Sequence, residues 1–415
     1  MYMIPLLLSL AILRKPAEAK YDVRKLTEGE EIRPQLETLL QVQIVFRHGD
    51  RSPVKDIRFV GYPSVKTLWP SGLGLLTSSG IQHAAELGKW VRAQYGPLIS
   101  KDYNASNVYV RSSKKNRTIM SAQAFLTGLY QQPLSTLHTY SAVVDSRAVG
   151  AENELRPTKC MKKDIMQMEL LHSDRVRFLF NRHRSVIKLL EEVTNKSSIS
   201  AETVQSVADT LVCVKNSNFL MPQWCTDRIF KKIMKIRRYL WKLKYLSSNK
   251  ILRLNAGVFF KRLTDTFKMT ALHDILDRPR RFPHLVVYSG HDRNIDQLRA
   301  ALGVYDNQIP DYSAALVLEL HAPEKGRGIK GGYRVQFRYK RGWRDDRGYY
   351  FQIPPCVNIP VRAGCRLRYL IGKLKPVSIN PADYMTGCRS LGSFVKQSKT
   401  LVTILAIASV FTSFL

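Results

Sequence analysis

Three short runs of β-branched and aromatic residues stand out along the chain. They are Val42-Gln43-Ile44-Val45-Phe46, Asn107-Val108-Tyr109-Val110 and Leu285-Val286-Val287-Tyr288. Each is too short for a typical helix, and the first and third are nearly continuous in apolar character, as strands buried on both faces are. Helical spacing lies between them. Ile81, Ala84, Gly88, Val91 and Tyr95 mark one helix face, which Gly96-Pro97 stops, and residues 117–130 form a second helical stretch. From 158 to 277 the pattern is mainly helical, and strand patterns resume near 316–318 and 333–337. Alternating strands and helices imply an α/β, three-layer domain with a mainly parallel central sheet. The expected organisation is a discontinuous α/β domain (38–157 and 278–388) carrying a largely helical insertion (158–277).

The two ends carry a different pattern. Met3 to Leu13 is almost wholly apolar and leads to Ala17-Glu18-Ala19, which together predict a secretory signal over 1–19. Residues 394–415 form a hydrophobic tail, with Lys396 and Lys399 followed by an uncharged run from Leu401 to Leu415. Two readings stand for it: a glycolipid-anchor signal preceded by the small residues Ser390, Gly392 and Ser393, or a membrane segment.

Composition narrows the class. Of the 415 residues, 45% are hydrophobic and 24% charged, which is globular rather than disordered. Lys and Arg number 65 against 33 acids, a formal charge of +32. That excess points to an anionic partner: a phosphate ester, an anionic surface or a glycosaminoglycan. Nucleic acid is set aside, since a secretory signal is present and no zinc-finger or RNA-binding signature is found. Six cysteines (Cys160, Cys213, Cys225, Cys356, Cys365 and Cys388) fit an oxidising compartment. Asn104, Asn116 and Asn195 each begin a glycosylation tripeptide. Asn104 and Asn195 are the expected acceptors; Asn116, close to the charged cluster described next, is expected to be buried and unmodified. The setting is the secretory pathway, with an extracellular, cell-surface or lysosomal destination, and a homodimer is compatible with it.

All three β-runs end in charged residues. Phe46 leads into Arg47-His48-Gly49-Asp50-Arg51-Ser52-Pro53, Val110 into Arg111-Ser112-Ser113, and Tyr288 into Ser289-Gly290-His291-Asp292. In an open α/β sheet, ligands bind beyond the carboxyl ends of the strands, so these groups are expected to converge there. Arg47, Arg51 and Arg111 supply planar forks that match a multi-oxygen anion. Their charge keeps His48 neutral and nucleophilic. Gly49 allows close approach of backbone to ligand. His291 adds a donor, and Asp292 is an acid able to protonate a leaving oxygen. No carboxylate cluster of metal type accompanies them, so the expected chemistry needs neither metal nor cofactor. Two cheaper look-alikes, Arg182-His183-Arg184 and His273-Asp274, are read as helix surface.

The heptapeptide Arg47–Pro53 resembles the signature of the histidine acid phosphatases, branch 2 of the histidine phosphatase superfamily. Further matching pieces are Trp69–Thr77, Glu86-Leu87-Gly88, Val108–Ser112, Arg117-Thr118 and Ser289–Asp292. The resemblance implies an acid phosphatase acting on phosphate monoesters. His48 would form a phosphohistidine, Arg47, Arg51, Arg111 and His291 would hold the phosphate, and Asp292 would donate a proton to the leaving alcohol. An acid optimum follows. It also implies disulfides Cys160–Cys388 and Cys356–Cys365. Cys213 matches a third family position whose usual partner is absent, with Cys225 as a local substitute. Two departures add positive charge near the site: Lys114 where the family has an acid, and Arg293 after His291-Asp292.

Residues 228–250 pair one apolar helical face (Ile229, Ile233, Ile236, Leu240 and Leu243) with a basic one (Lys231, Lys235, Arg238 and Lys242). The apolar face reads as core packing; the basic face is not explained by it. Two alternatives to a simple acid phosphatase are therefore a secreted polyanion-binding protein on a weakened phosphatase scaffold and a phytase-like inositol polyphosphate phosphatase.

Overall fold

A computed structural model of the protein describes residues 33–148, 151–157, 160–279, 281–323 and 332–389. The signal over 1–19 and the tail over 394–415 lie outside the described residues. The strands are β1 (Leu39–Arg47), β2 (Val108–Ser112), β3 (Val144–Ser146), β4 (Leu285–Gly290), β5 (Ala315–His321), β6 (Arg334–Lys340), β7 (Tyr349–Phe351) and β8 (Cys365–Arg366). The helices are α1 (Val65–Leu68), α2 (Ser78–Tyr95), α3 (Asn116–Leu129), α4 (Met161–Leu171), α5 (Asp174–Arg182), α6 (Arg184–Thr194), α7 (Ala201–Asn216), α8 (Asp227–Leu246), α9 (Asn249–Ile275), α10 (Asp292–Leu302), α11 (Leu367–Leu374) and α12 (Pro381–Arg389).

The strands form one sheet in the order β3-β2-β4-β1-β5-β6-β7, with β8 also on β6. Side chains alternate between its faces, as the pleat requires. Val42, Ile44, Phe46 and Val287 pack under α2 and α3. Val45, Tyr288, Leu316 and Leu318 pack on the other side, with Phe259 and Phe260 of α9 and Leu298 of α10. The layers are therefore helix, sheet, helix. The α2–α3 seam closes to backbone distance. A Cβ at Gly88 would sit 2.0 Å from the Phe125 carbonyl oxygen, and one at Gly128 would sit 1.9 Å from that of Ala85.

The expectation of a mainly parallel sheet needs correcting in one respect. The sheet is parallel across β3-β2-β4-β1 and antiparallel from β1 through β5, β6 and β7. The reason is the path after α10. Residues 303–314 bring the chain back to the carboxyl edge of β1, where Arg47 N–H bonds the Ala314 carbonyl. β5 then starts beside Phe46 and runs down the sheet. Among the described residues no crossover helix separates β5, β6 and β7, and strands joined without one pair antiparallel.

Helices α4 to α9 occupy the middle of the chain. α6, α7 and α8 share an apolar core built from Leu190, Val204, Leu211, Ile233, Ile236 and Leu240. The basic side of α8 is as its spacing suggests: Lys231, Lys235 and Lys242 are exposed. The disulfide Cys160–Cys388 ties the start of α4 to α12 across 228 residues, and Cys356–Cys365 closes a nine-residue separation. The third expected bridge does not form. Cys213 and Cys225 are free and buried. Cys213, on α7, packs with Val65 and Trp69; Cys225, just before α8, lies in the α6–α8 core. Among the described residues no helix is long and apolar enough to cross a membrane.

Candidate active site

β1 and β4 end side by side, with Arg47 paired to Gly290. His48 and His291 therefore follow from adjacent strand ends, and their rings lie 5.6 Å apart. The next residue, Asp292, opens α10, and Arg117 sits in the first turn of α3. Two helix N-termini thus face the same spot, each favouring an anion.

His48 is 2% exposed. Its Nδ1 lies 2.8 Å from the Gly49 carbonyl oxygen. A carbonyl only accepts, so Nδ1 carries the hydrogen and Nε2 keeps its lone pair. Arg117 Nε–H donates to that Nε2 at 3.1 Å. Burial, then Arg117, Arg51 and Arg47, hold His48 well below the ordinary imidazole range. Burial and the Arg293, Arg117 and Arg156 charges do the same to His291, whose Nε2 lies 3.0 Å from Ser113 Oγ.

The arginines differ in what holds them. Arg47 donates to the Pro310 carbonyl at 2.6 Å, approaches Asp292 Oδ2 at 3.4 Å and lies 3.8 Å over the Tyr312 ring. Arg51 is clamped by Asp209 of α7, with Nη1–Oδ2 at 3.1 Å and Nη2–Oδ1 at 2.8 Å. Burial works to raise the Asp209 carboxyl, but Arg51 and its hydrogen bonds bring it down to about 2. In both Arg47 and Arg51 the Nε–H is buried without a partner. The Arg111 Nε–H is buried without a partner too, and of Arg47 and Arg51 only Arg51 lines the cavity beside His48. Arg117 has no carboxylate clamp. Burial, then Arg51 and Arg156, push its guanidinium down to about 10.

Arg111 was expected here and is elsewhere. It is fully buried within β2, donating from Nη2 to Glu152 Oε2 at 2.7 Å and from Nη1 to the Ser112 carbonyl at 2.6 Å, with Glu154 at 3.6 Å. It does not line the cavity that His48 opens into. As a strand residue it points where the pleat sends it, into an acidic pocket. Arg117, six residues on and past the Ser113–Lys115 turn, reaches the nucleophilic nitrogen instead. The signal that points to it is Arg117-Thr118 at a helix start. The Gly49 expectation changes too. A Cβ there would lie 2.1 Å from the Gly80 carbonyl oxygen, so the α2 N-terminus demands glycine, not a ligand. Asn116 is exposed, not buried, and Lys114 is exposed and away from the cavity. Asp209 lies in a helical stretch with no motif, and nothing in the sequence singles it out.

His48, Arg51, Arg117, His291, Asp292 and Asp209 line one open cavity of about 300 Å³. Trp241 and Arg237 of α8 form part of its far wall. Among the described residues no His, Cys, Asp and Glu cluster is placed to hold a metal ion. The arrangement sets a neutral imidazole lone pair among three guanidinium groups, with a carboxyl beside them. That is equipment for attack on a tetrahedral oxyanion.

Comparison with known proteins agrees with this geometry. Residues 38–340 match the histidine phosphatase superfamily (branch 2), and the chain belongs to that family. It is 29% identical to the lysosomal acid phosphatase of Xenopus laevis over 88% of this chain and 83% of that one. It is 27% identical to the mouse (Mus musculus) prostatic acid phosphatase over 86% of this chain and 91% of that one. Among solved structures, Hafnia alvei phytase superposes with a TM-score of 0.62 at 17% identity, covering 85% of this chain and 98% of that one; this likeness is one of fold.

Proposed function

We propose that the protein is an acid phosphatase that hydrolyses phosphate monoesters through a phosphohistidine on His48. The observation that carries this is the locked tautomer: Nδ1–H on the Gly49 carbonyl leaves the Nε2 lone pair facing the cavity. Arg47, Arg51, Arg117 and His291 take the phosphate oxygens, Arg117 replacing Arg111 in this role. Nε2 attacks phosphorus, the ester P–O bond breaks, and Asp292 gives its proton to the departing alcohol oxygen. Water then attacks phosphorus, its proton passing to the Asp292 carboxylate, the P–N bond breaks, and phosphate leaves. The arginines spread the charge of the transferring phosphoryl group over fixed donors, and that supplies the electrostatic part of the rate.

Burial and the Arg117, Arg51 and Arg47 charges hold His48 unprotonated in acid, and that supports an acid optimum. We further read 38–157 with 278–388 as the catalytic body and 158–277 as an insertion that supplies Asp209. The acid phosphatase relatives support placement in the secretory pathway or lysosome; separately, we read the exposed basic face of α8 as a surface for an anionic partner. The test is hydrolysis of p-nitrophenyl phosphate at about pH 5 by the protein and by His48→Ala. Activity in the first and none in the second is the expected result. Equal rates would refute the assignment.

A further inference from the structure

The cavity holds more positive charge than one phosphate uses. Beyond Arg51 and Arg117, it is lined by Lys55, by Arg237, which lies 3.9 Å from Asp209, and by three further cations, Arg156, Arg293 and Lys244. Among the described residues no carboxylate pairs with these three. Arg293 Nη2 is buried without a hydrogen-bond partner. Arg156 and Arg293 lie close enough to depress the Arg156 guanidinium, behind burial as the main cause. Like charges packed together without an acid form a standing demand for an anion. Arg293 directly follows Asp292 in the first turn of α10, Arg156 lies in the loop before α4 and Lys244 in the last turn of α8. The same cavity is lined by Glu202 and Gln205 of α7, and Gln205 Nε2 is also buried without a partner.

We propose that Arg156, Arg293 and Lys244 form a second anion subsite, and that the preferred substrate is a compact bisphosphate on a hydroxylated scaffold. This rests on the phosphatase reading above. One phosphate meets His48; the second is held by Arg156 and Arg293; Gln205 donates to a scaffold oxygen between them. The volume favours a small molecule, since about 300 Å³ is the low end for ligand pockets. A six-phosphate inositol is therefore a poorer fit than a sugar carrying two.

The experiment compares fructose 1,6-bisphosphate with p-nitrophenyl phosphate in the wild type and in Arg156→Gln/Arg293→Gln, where the kcat/KM ratio is expected to fall about tenfold to hundredfold. Arg156→Lys/Arg293→Lys, which keeps the charge, is expected to recover most of that ratio. A ratio unchanged to within about twofold overturns the subsite. A wild-type preference for inositol hexakisphosphate over the bisphosphate overturns the compact class. Calorimetry on His48→Ala separates this from the catalytic reading. There the bisphosphate is expected to bind about tenfold tighter than fructose 6-phosphate, and the advantage disappears in the doubly substituted background. Equal affinities overturn the proposal even if the protein hydrolyses monoesters; the expected difference upholds it even if no substrate turns over.

Discussion

Asp209→Asn isolates the contact that joins the inserted helices to the anion site. Asp209 clamps both Nη groups of Arg51 and lies 3.9 Å from Arg237 Nη2. Its side chain is 10% exposed and that of Arg51 is 7% exposed, so solvent screens the pair little. Holding a carboxyl at about 2 instead of 3.8 corresponds to about 2–3 kcal/mol in favour of the carboxylate. Removing one partner of a buried pair costs about 3–5 kcal/mol, because the other charge is left uncompensated. The two figures bracket the expected loss of stability, which in a chain of this size lowers the thermal midpoint by about 3–6 °C. Differential scanning calorimetry of both proteins checks this, without phosphate and with saturating phosphate. Phosphate gives Arg51 a new counter-charge, so it should stabilise Asp209→Asn more than the wild type and narrow the gap. A midpoint within about 1 °C of wild type without phosphate would refute the reasoning. So would a gap that phosphate leaves unchanged.

Arg111 and Arg117 should separate cleanly. Arg111→Ala strands Glu152, while Glu154 keeps Arg147 and Arg262; the substitution is expected to cost about 3–5 kcal/mol of stability, read by urea unfolding. Arg117→Ala is expected to lower kcat/KM about a hundredfold or more without lowering the thermal midpoint, because it relieves crowding with Arg51 and Arg156. His48 and His291 are both held neutral, so below about pH 6.5 the unfolded chain takes up protons that the folded one refuses. Stability should then fall with pH by up to about 1.4 kcal/mol per unit for each, until the depressed folded value is reached. His48→Asn should show a shallower urea-midpoint decline between about pH 6.5 and 4.5 than the wild type. Loop entropy predicts that removing Cys160–Cys388 costs about 5 kcal/mol and removing Cys356–Cys365 about 3 kcal/mol, measurable with paired Cys→Ala variants.

The readable parts of the chain were those where local pattern and position agree. Continuous apolar runs at 42–46 and 285–288 announced the central parallel strands, and the charged residues that follow them marked the site. Arg111 misled because it also follows an apolar run. Whether an arginine at a strand end faces the ligand or an internal acid depends on where the strand stops, and β2 runs on through Ser112. Glu152 and Glu154, which hold it, carry no pattern of their own. The antiparallel half of the sheet was hidden for a related reason: the return of residues 303–314 to the carboxyl edge is an irregular path with no periodicity. Asp209 and the unpaired Cys213 lie four residues apart on α7, facing Arg51 through tertiary contact alone.

The bond from Arg117 Nε–H to His48 Nε2 has a consequence for the resting enzyme. It covers the one lone pair able to attack, so without an anion the nucleophile is capped by a cation. On the proposed mechanism a phosphate ester would draw the guanidinium onto its own oxygens and free the imidazole in the same movement. A neutral electrophile offers Arg117 nothing and meets a covered nitrogen. The site thus admits reactants by charge before it tests them by shape, and its own reactivity is switched on by the group it is built to transfer.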